Sequence, residues 1–373
     1  MLFTGTDGQG NTVEYKDHKR YWYLLAFLSP AIYLASFWGY FAAGNNALFT
    51  LIPVIYMFGI TPIVDHLVGE DSHNPPEAVM PAMMKDNFYR FSIYPLIAMT
   101  FVIFAVAVWF VGTQSLPWWS YIALVIGVGI YCGGVMTLTH ELGHKSNKLD
   151  QFVAKFGNSV IGYGHFCIEH NRGHHVMVST PEDPASARMG ENIYRFAVRE
   201  MSGTFERGIF HERERLAKKG YGFWTWRNDV LQSYALTLVI VAICVASFGP
   251  AILAFILPVY LMGWYTLTQA NYIEHYGLLR AKKANGKYER TQPHQPLFRR
   301  FGIKSWTKKS WIGPAVTLPK SILTRRPKTA FTPNTGQGLS RRSSRLSCKF
   351  ARRAGRVSCN PAADICLKPE LAG

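Results

Sequence analysis

Charge is missing from six long stretches of this 373-residue chain. Residues 21–43, 47–64, 91–111, 119–138, 230–248 and 251–270 contain no Asp, Glu, Lys or Arg. A helix needs about 20 apolar residues to cross the hydrocarbon core of a bilayer, and each stretch is close to that length. A soluble protein can bury one or two such helices. Six of them exclude a soluble globular domain and predict an all-α polytopic membrane protein with six transmembrane helices.

Three of the connections lack charge as well. Residues 44–46, 112–118 and 249–250, which join the stretches in pairs, carry none, so every charged residue falls on the opposite face, including Lys16, Lys19 and Arg20. The positive-inside rule makes that face cytoplasmic. Both termini then lie inside, with three helical hairpins closed by short external turns. The first twenty residues lack the n-region and cleavage site of a secretory signal. Cysteine is scarce: the six present include no Cys-x-x-Cys pair, and nothing in their spacing suggests a disulfide framework. Neither an internal repeat nor a nucleotide-binding glycine motif stands out.

The net charge of +17 is not spread along the chain. From His294 to Gly373, 17 Lys and Arg stand against Asp364 and Glu370, so +15 of it lies there. This basic tail, rich in Ser, Pro and Arg, has no sustained hydrophobic period, and its composition predicts disorder. Charge alone would suit a nucleic-acid arm or a lipid-headgroup patch. Both rank below an out-of-frame tail, for a reason that emerges from the histidines.

Half of the twelve histidines lie between His140 and His175, in the patterns His140-Glu-Leu-Gly-His144 and His170-Asn-Arg-Gly-His-His175. Imidazole is the commonest protein metal ligand, and histidines four apart share a helix face. The first pair continues the fourth span, and His275 lies just past the sixth, so the sets emerge at one membrane face. Residues 151–168, mildly apolar, are expected to lie along that face. On an α-helix His174 shares a side with His170, while His175 turns away by about 100°. His140, His144, His170, His174, His175 and His275 are too many for one tetrahedral zinc and suit two metals with open positions. Glu141 and Glu169 are candidates to accept a hydrogen bond from a ligand's second ring nitrogen, and His165 is a candidate for the same surrounding shell. Residues 140–144 also read as the H-E-x-x-H of a zinc metalloprotease with Glu141 as general base, but a protease has no use for His170, His174 and His175 together. A metal transporter would carry ionisable residues inside its spans, and these spans have no charged ones.

Several segments match one family. His140-Glu-Leu-Gly-His-Lys145, Gly162-Tyr-Gly-His-Phe166, Glu169-His-Asn-Arg-Gly-His-His175, Thr180-Pro-Glu-Asp-Pro184, Arg188-Met-Gly-Glu191 and Asn271-Tyr-Ile-Glu-His-Tyr-Gly-Leu278 resemble the membrane alkane hydroxylases (alkane 1-monooxygenases). Gly69-Glu-Asp71 and Asn74-Pro-Pro-Glu77 are similar too. The likeness covers about residues 15–293, and the Asn271–Leu278 segment separates it from the fatty-acid desaturases, which share the histidine-box plan; a related fatty-acid desaturase or hydroxylase is the alternative reading. The resemblance implies two non-haem iron ions at the cytoplasmic side of a bacterial inner membrane, held by the six histidines above. It further implies O2-dependent terminal hydroxylation of n-alkanes with electrons from rubredoxin and its reductase, and no nucleic-acid partner. An alkane reaches such a site from the lipid, and Met57 in the second span is the candidate residue limiting chain length in an apolar channel.

The resemblance breaks after Pro293-His294. The family continues with a His-Ser-Trp-Asn-Ser-Asn-His segment and a third box, His-Ser-Asp-His-His, whereas the last histidine of this chain is His294. The chain therefore divides into a membrane-embedded hydroxylase region, 1–293, and a basic tail, 294–373, disordered or out of frame. Translating the encoding DNA downstream of His294 in the other two frames is expected to produce the third box. Its absence from both would refute a frameshift.

Overall fold

The computed structural model describes residues 1–69 and 75–289, together with two short strands near the C-terminus. Among the described residues, six helices are long and apolar enough to cross a membrane: Arg20–Ala42, Ala47–Val68, Asn87–Thr113, Trp118–Gly143, Asp229–Phe248 and Pro250–His275. They are spans one to six, and the chain is a multi-pass membrane protein. The expected spans were drawn from uncharged runs, and spans four and six extend further, to Gly143 and His275. A polar residue ends an apolar run without ending a hydrogen-bonded helix. His140 and His275 accordingly sit on the spans themselves.

The local chemistry of the ends explains where helices start and turn. The side chains of Asp86 and Asn228 accept hydrogen bonds from the Phe88 and Leu231 amides, capping spans three and five. Gly44 and Asn45 between spans one and two, and Gly249 between five and six, take positive φ. Glycine adopts that conformation at little cost, and asparagine more readily than most residues.

Span four is the most enclosed, and spans two and five are the least. The Tyr33 hydroxyl of span one donates to the Gly127 carbonyl at 2.7 Å, and Thr50 of span two meets Ser120 at 2.8 Å. Closest of all is the crossing with span six. A Cβ added at Gly133 would lie 2.7 Å from the Gly263 carbonyl oxygen and 2.8 Å from its Cα. Small residues permit this approach, on which helix association in lipid depends. Just beyond it span four breaks into Trp118–Gly133 and Val135–Gly143, and the second piece carries the first histidine pair.

Residues 151–168 do not simply lie along a surface. The helix Lys148–Asn158 and the 3-10 turn Ser159–Ile161 lead into a reversal at Gly162 whose residues, 157–166, are all buried. Irregular backbone at such depth must find hydrogen-bond partners within the protein. Thr237 of span five donates to the Ser159 carbonyl at 2.8 Å, and the Trp264 indole of span six to the Ile161 carbonyl at 2.7 Å. Wedged between spans, the reversal delivers the second histidine box from within the bundle.

Two features add to the helical plan. An antiparallel hairpin, Leu2–Thr6 with Thr12–Lys16, precedes span one and buries Phe3. The helix Ile193–Ala217 buries Phe196, Glu200, Thr204, Gly208, Glu212 and Leu216, a stripe repeating every four residues that marks one face. In the C-terminal unit, Ser358–Asn360 pairs antiparallel with Ile365–Leu367, within the segment expected to be disordered. The remainder of that tail lies outside the described residues, as do His73, Glu70, Asp71, Asn74 and His294.

Gly133→Ala is expected to destabilise the bundle by about 1–3 kcal/mol, the usual cost of overpacking a close contact, because only backbone lies opposite. A thermal melt in detergent unchanged from wild type would show that the crossing is looser than described.

Candidate metal centre

Span four, the reversal and span six bring the histidines to one end of the bundle. Donor atoms of His140, His144, His170 and His175 all lie within 4.8 Å of one another. The Nε2 atoms of His175 and His144 are 3.1 Å apart, and the rings of His140 and His170 cross edge to face with centroids 4.4 Å apart. His144 and His175 form the exposed edge of this group.

The second box owes its geometry to an irregular turn. His170–His174 is a π-helix, closed by the His175 amide donating to the His170 carbonyl five residues back. Such wide turns recur at functional sites. An α-helix would leave His175 turned away from His170. Here the His170 ring centroid lies 4.5 Å from that of His175 and 5.2 Å from that of His174. Both neighbours flank it, and the sequence-based assignment of sides is corrected accordingly. His174 in turn approaches His275, centroids 4.8 Å apart.

The carboxylate that holds a ring is Asp183. Its Oδ2 meets His174 Nδ1 at 2.9 Å and accepts the Ser186 hydroxyl at 2.6 Å, and its Oδ1 accepts from Arg207 at 2.7 Å. Burial alone would raise the Asp183 pKa. The bonds from His174 and Ser186 and the Arg207 charge hold it well below the usual range instead. Burial would lower His174, but the hydrogen bond and charge of Asp183 reverse the direction and raise it. Of the expected acceptors, Glu169 takes its hydrogen bonds from Arg207, the Nε at 2.8 Å, and Glu141 pairs with Lys145 at 2.6 Å. Burial raises Glu169, and Arg207 offsets part of that rise. Arg207 thus ties the second box to the loop that carries Asp183.

That loop is laced to the end of span six. The Tyr272 hydroxyl donates to the Glu191 carbonyl at 2.7 Å, Tyr276 accepts from the Gly190 amide at 2.9 Å, and the Gly277 amide donates to the Ala187 carbonyl at 2.9 Å. Two of the sequence motifs are therefore halves of one contact.

The two remaining candidates, His165 and Met57, and the isolated histidines lie away from the cluster. His165 is buried, with Nδ1 2.8 Å from the Tyr234 hydroxyl and its ring against Tyr163 and Phe205; burial pushes it down to about 3. Met57 is half-buried in a π-helical turn, Tyr56–Ile60, of span two. His18 and His66 are exposed, and His211 sits 3.6 Å from Glu214.

Asp183, Arg207 and Glu200 were not singled out from the sequence. Only Asp183 had a signal there, inside the Thr180–Pro184 motif. Glu200 is fully buried on Ile193–Ala217 and accepts hydrogen bonds from Thr268 and, at 2.6 Å, from Asn271 of span six. Among the described residues no cation faces it within ion-pair distance. Burial brings its pKa up to about 7, although both hydrogen bonds pull it down.

The donor set fits a metal ion. Nε2 of His140 and of His170 are buried with no hydrogen-bond partner among the described residues, a costly state for a polar atom that coordination would relieve. Burial and the neighbouring rings push His170 far down and His175 to about 4, so both present lone pairs at neutral pH. This is a metal-binding histidine cluster.

The fold and cluster define a membrane-embedded enzyme of the histidine-box kind, and comparison with known proteins agrees. The fatty acid desaturase family model matches residues 116–311. The chain is 43% identical over 282 residues to an alkane 1-monooxygenase of Pseudomonas putida, covering 75% of this chain and 70% of that protein. It is 42% identical over 281 residues to alkane 1-monooxygenase 1 of Alcanivorax borkumensis, covering 75% and 69%. A more distant likeness, 30% over 152 residues, joins it to the hydroxylase component of a xylene/toluene monooxygenase of Pseudomonas putida, covering 40% and 41%. The chain belongs to the alkane 1-monooxygenase family, within the fatty acid desaturase family, and is an oxidoreductase.

Glu200 should leave a pH signature. Its carboxyl keeps a proton in the folded state up to about 7, whereas the ordinary value is 4.5. As pH rises through that window the unfolded chain loses the proton first, so this group's contribution to stability falls. Glu200→Gln cannot ionise, so its melting temperature relative to wild type is expected to climb between pH 5 and pH 8. A flat difference would refute the assignment.

Proposed function

We propose that the chain catalyses terminal hydroxylation of n-alkanes, in which an alkane, O2, two electrons and two protons give a 1-alkanol and water. The observation that carries the reading is the convergence of His140, His144, His170 and His175 within 4.8 Å in a chain 43% identical to an alkane 1-monooxygenase. Rubredoxin and its reductase are the electron source that the family resemblance implies. The membrane would be the bacterial inner membrane, with the histidine end and both termini cytoplasmic, as the charge-free short turns suggest.

The centre would be built for two non-haem irons. His140, His144, His170 and His175 would hold one, and His174 and His275 would approach the other. Bound iron supplies the O2 and one-electron chemistry that side chains lack. The protein's own residues orient and enclose. Asp183 engages His174 Nδ1, which leaves Nε2 as the lone-pair donor. The π turn directs neighbouring rings to different partners, and the buried reversal at Gly162, tied to spans five and six, fixes where the second box begins. A hydrocarbon has no polar handle, so its alignment must come from apolar walls, and Met57 is the proposed end stop in span two. In the metalloprotease alternative Glu141 would act as a base. Its pairing with Lys145 and the family membership both favour hydroxylation.

Purified chain in detergent, supplied with excess ferrous iron, rubredoxin and its reductase, is expected to convert octane to 1-octanol. Failure to form any alkanol from alkanes of any length would overturn the reading. Met57→Ala should extend the accepted alkane length, and an unchanged product profile would remove Met57 from the channel.

A further inference from the structure

The histidines do not form two equal halves. Four of them close on one another within 4.8 Å. The other two, His174 and His275, face each other with ring centroids 4.8 Å apart, and His174 already spends one nitrogen on Asp183. Beyond Leu278 the chain contains one further histidine, His294.

We infer that this chain retains one divalent ion, in the pocket of His140, His144, His170 and His175, and that the His174–His275 pair does not keep a second. The inference rests on the proposal that these histidines are metal ligands. Affinity follows the number and geometry of ligands. Four imidazoles can fill a tetrahedral shell, whereas two leave at least half of a four- to six-coordinate shell to water. Among the described residues the four-histidine group includes no carboxylate, and neutral nitrogen donors select iron, cobalt, nickel, copper or zinc over calcium and magnesium. None of the four needs the residues after Leu278 to complete the group. His144 and His175 lie at its exposed edge, where an ion can enter. A second ion would visit the other pair only from excess free metal, so alkanol formation should follow the iron added to the assay rather than the iron retained after dialysis.

The test is a cobalt titration of the full chain in detergent after chelator treatment, read by visible absorption and by metal content after dialysis. One cobalt per chain is expected. His144→Gln and His175→Gln, both at the exposed edge where a folding defect is least expected, should weaken binding by at least the roughly 10–100-fold that loss of an outer hydrogen-bond partner costs. His275→Ala should leave the count at one. Two retained ions, with the second lost in His275→Ala, would overturn the inference and leave the metal-centre reading intact. No retained cobalt in a chain that keeps its cooperative melt would overturn both.

Discussion

The backbone contact between Gly133 and Gly263 is the constraint on which the centre depends. It brings spans four and six together at van der Waals distance, and each span carries a histidine near its end: His140 a little past the break in one, His275 at the last residue of the other. A side chain at the crossing would separate the helices and with them the two walls of the cluster. Lipid provides no hydrophobic drive for helices to associate, so this approach has to come from shape. The glycines supply it, and the buried reversal at Gly162 fills the space beside it.

Around this frame the rings are set by polar contacts of high cost if broken. Asp183, Arg207 and Glu169 form a chain of charge behind His174, joined through Arg207 Nε and one of its terminal nitrogens. A buried ion pair gives little net stability, but removing one partner is strongly unfavourable. Such a chain therefore fixes geometry more than it stabilises the fold. Glu200 does similar work from the other side, gripping Thr268 and Asn271 one or two turns before His275. The helix Ile193–Ala217 supplies both Glu200 and Arg207, so one helix outside the six spans braces both the second box and span six.

The membrane fold was legible because charge is forbidden where lipid is the solvent. Each uncharged run forms the body of a span, and the largest extensions, to Gly143 and His275, are at the histidine boxes. The reversal through residues 157–166 was harder to read. Its sequence is that of a mild surface segment, and its burial rests on Thr237 and Trp264, more than 70 positions away. The π turn was likewise hidden, since His170 to His175 looks like an ordinary α-helical pattern until the backbone widens.

The sequence by itself determined the class of protein, the six spans and the identity of the clustering histidines. It did so because periodicity, hydropathy and ligand type are local properties of the chain. Only the tertiary structure decided which histidines share a pocket, and that Asp183 rather than Glu169 holds His174. It alone revealed that Glu200 is buried against span six. Those facts depend on helix crossings and hydrogen bonds between residues distant in sequence, where no local pattern specifies the partner.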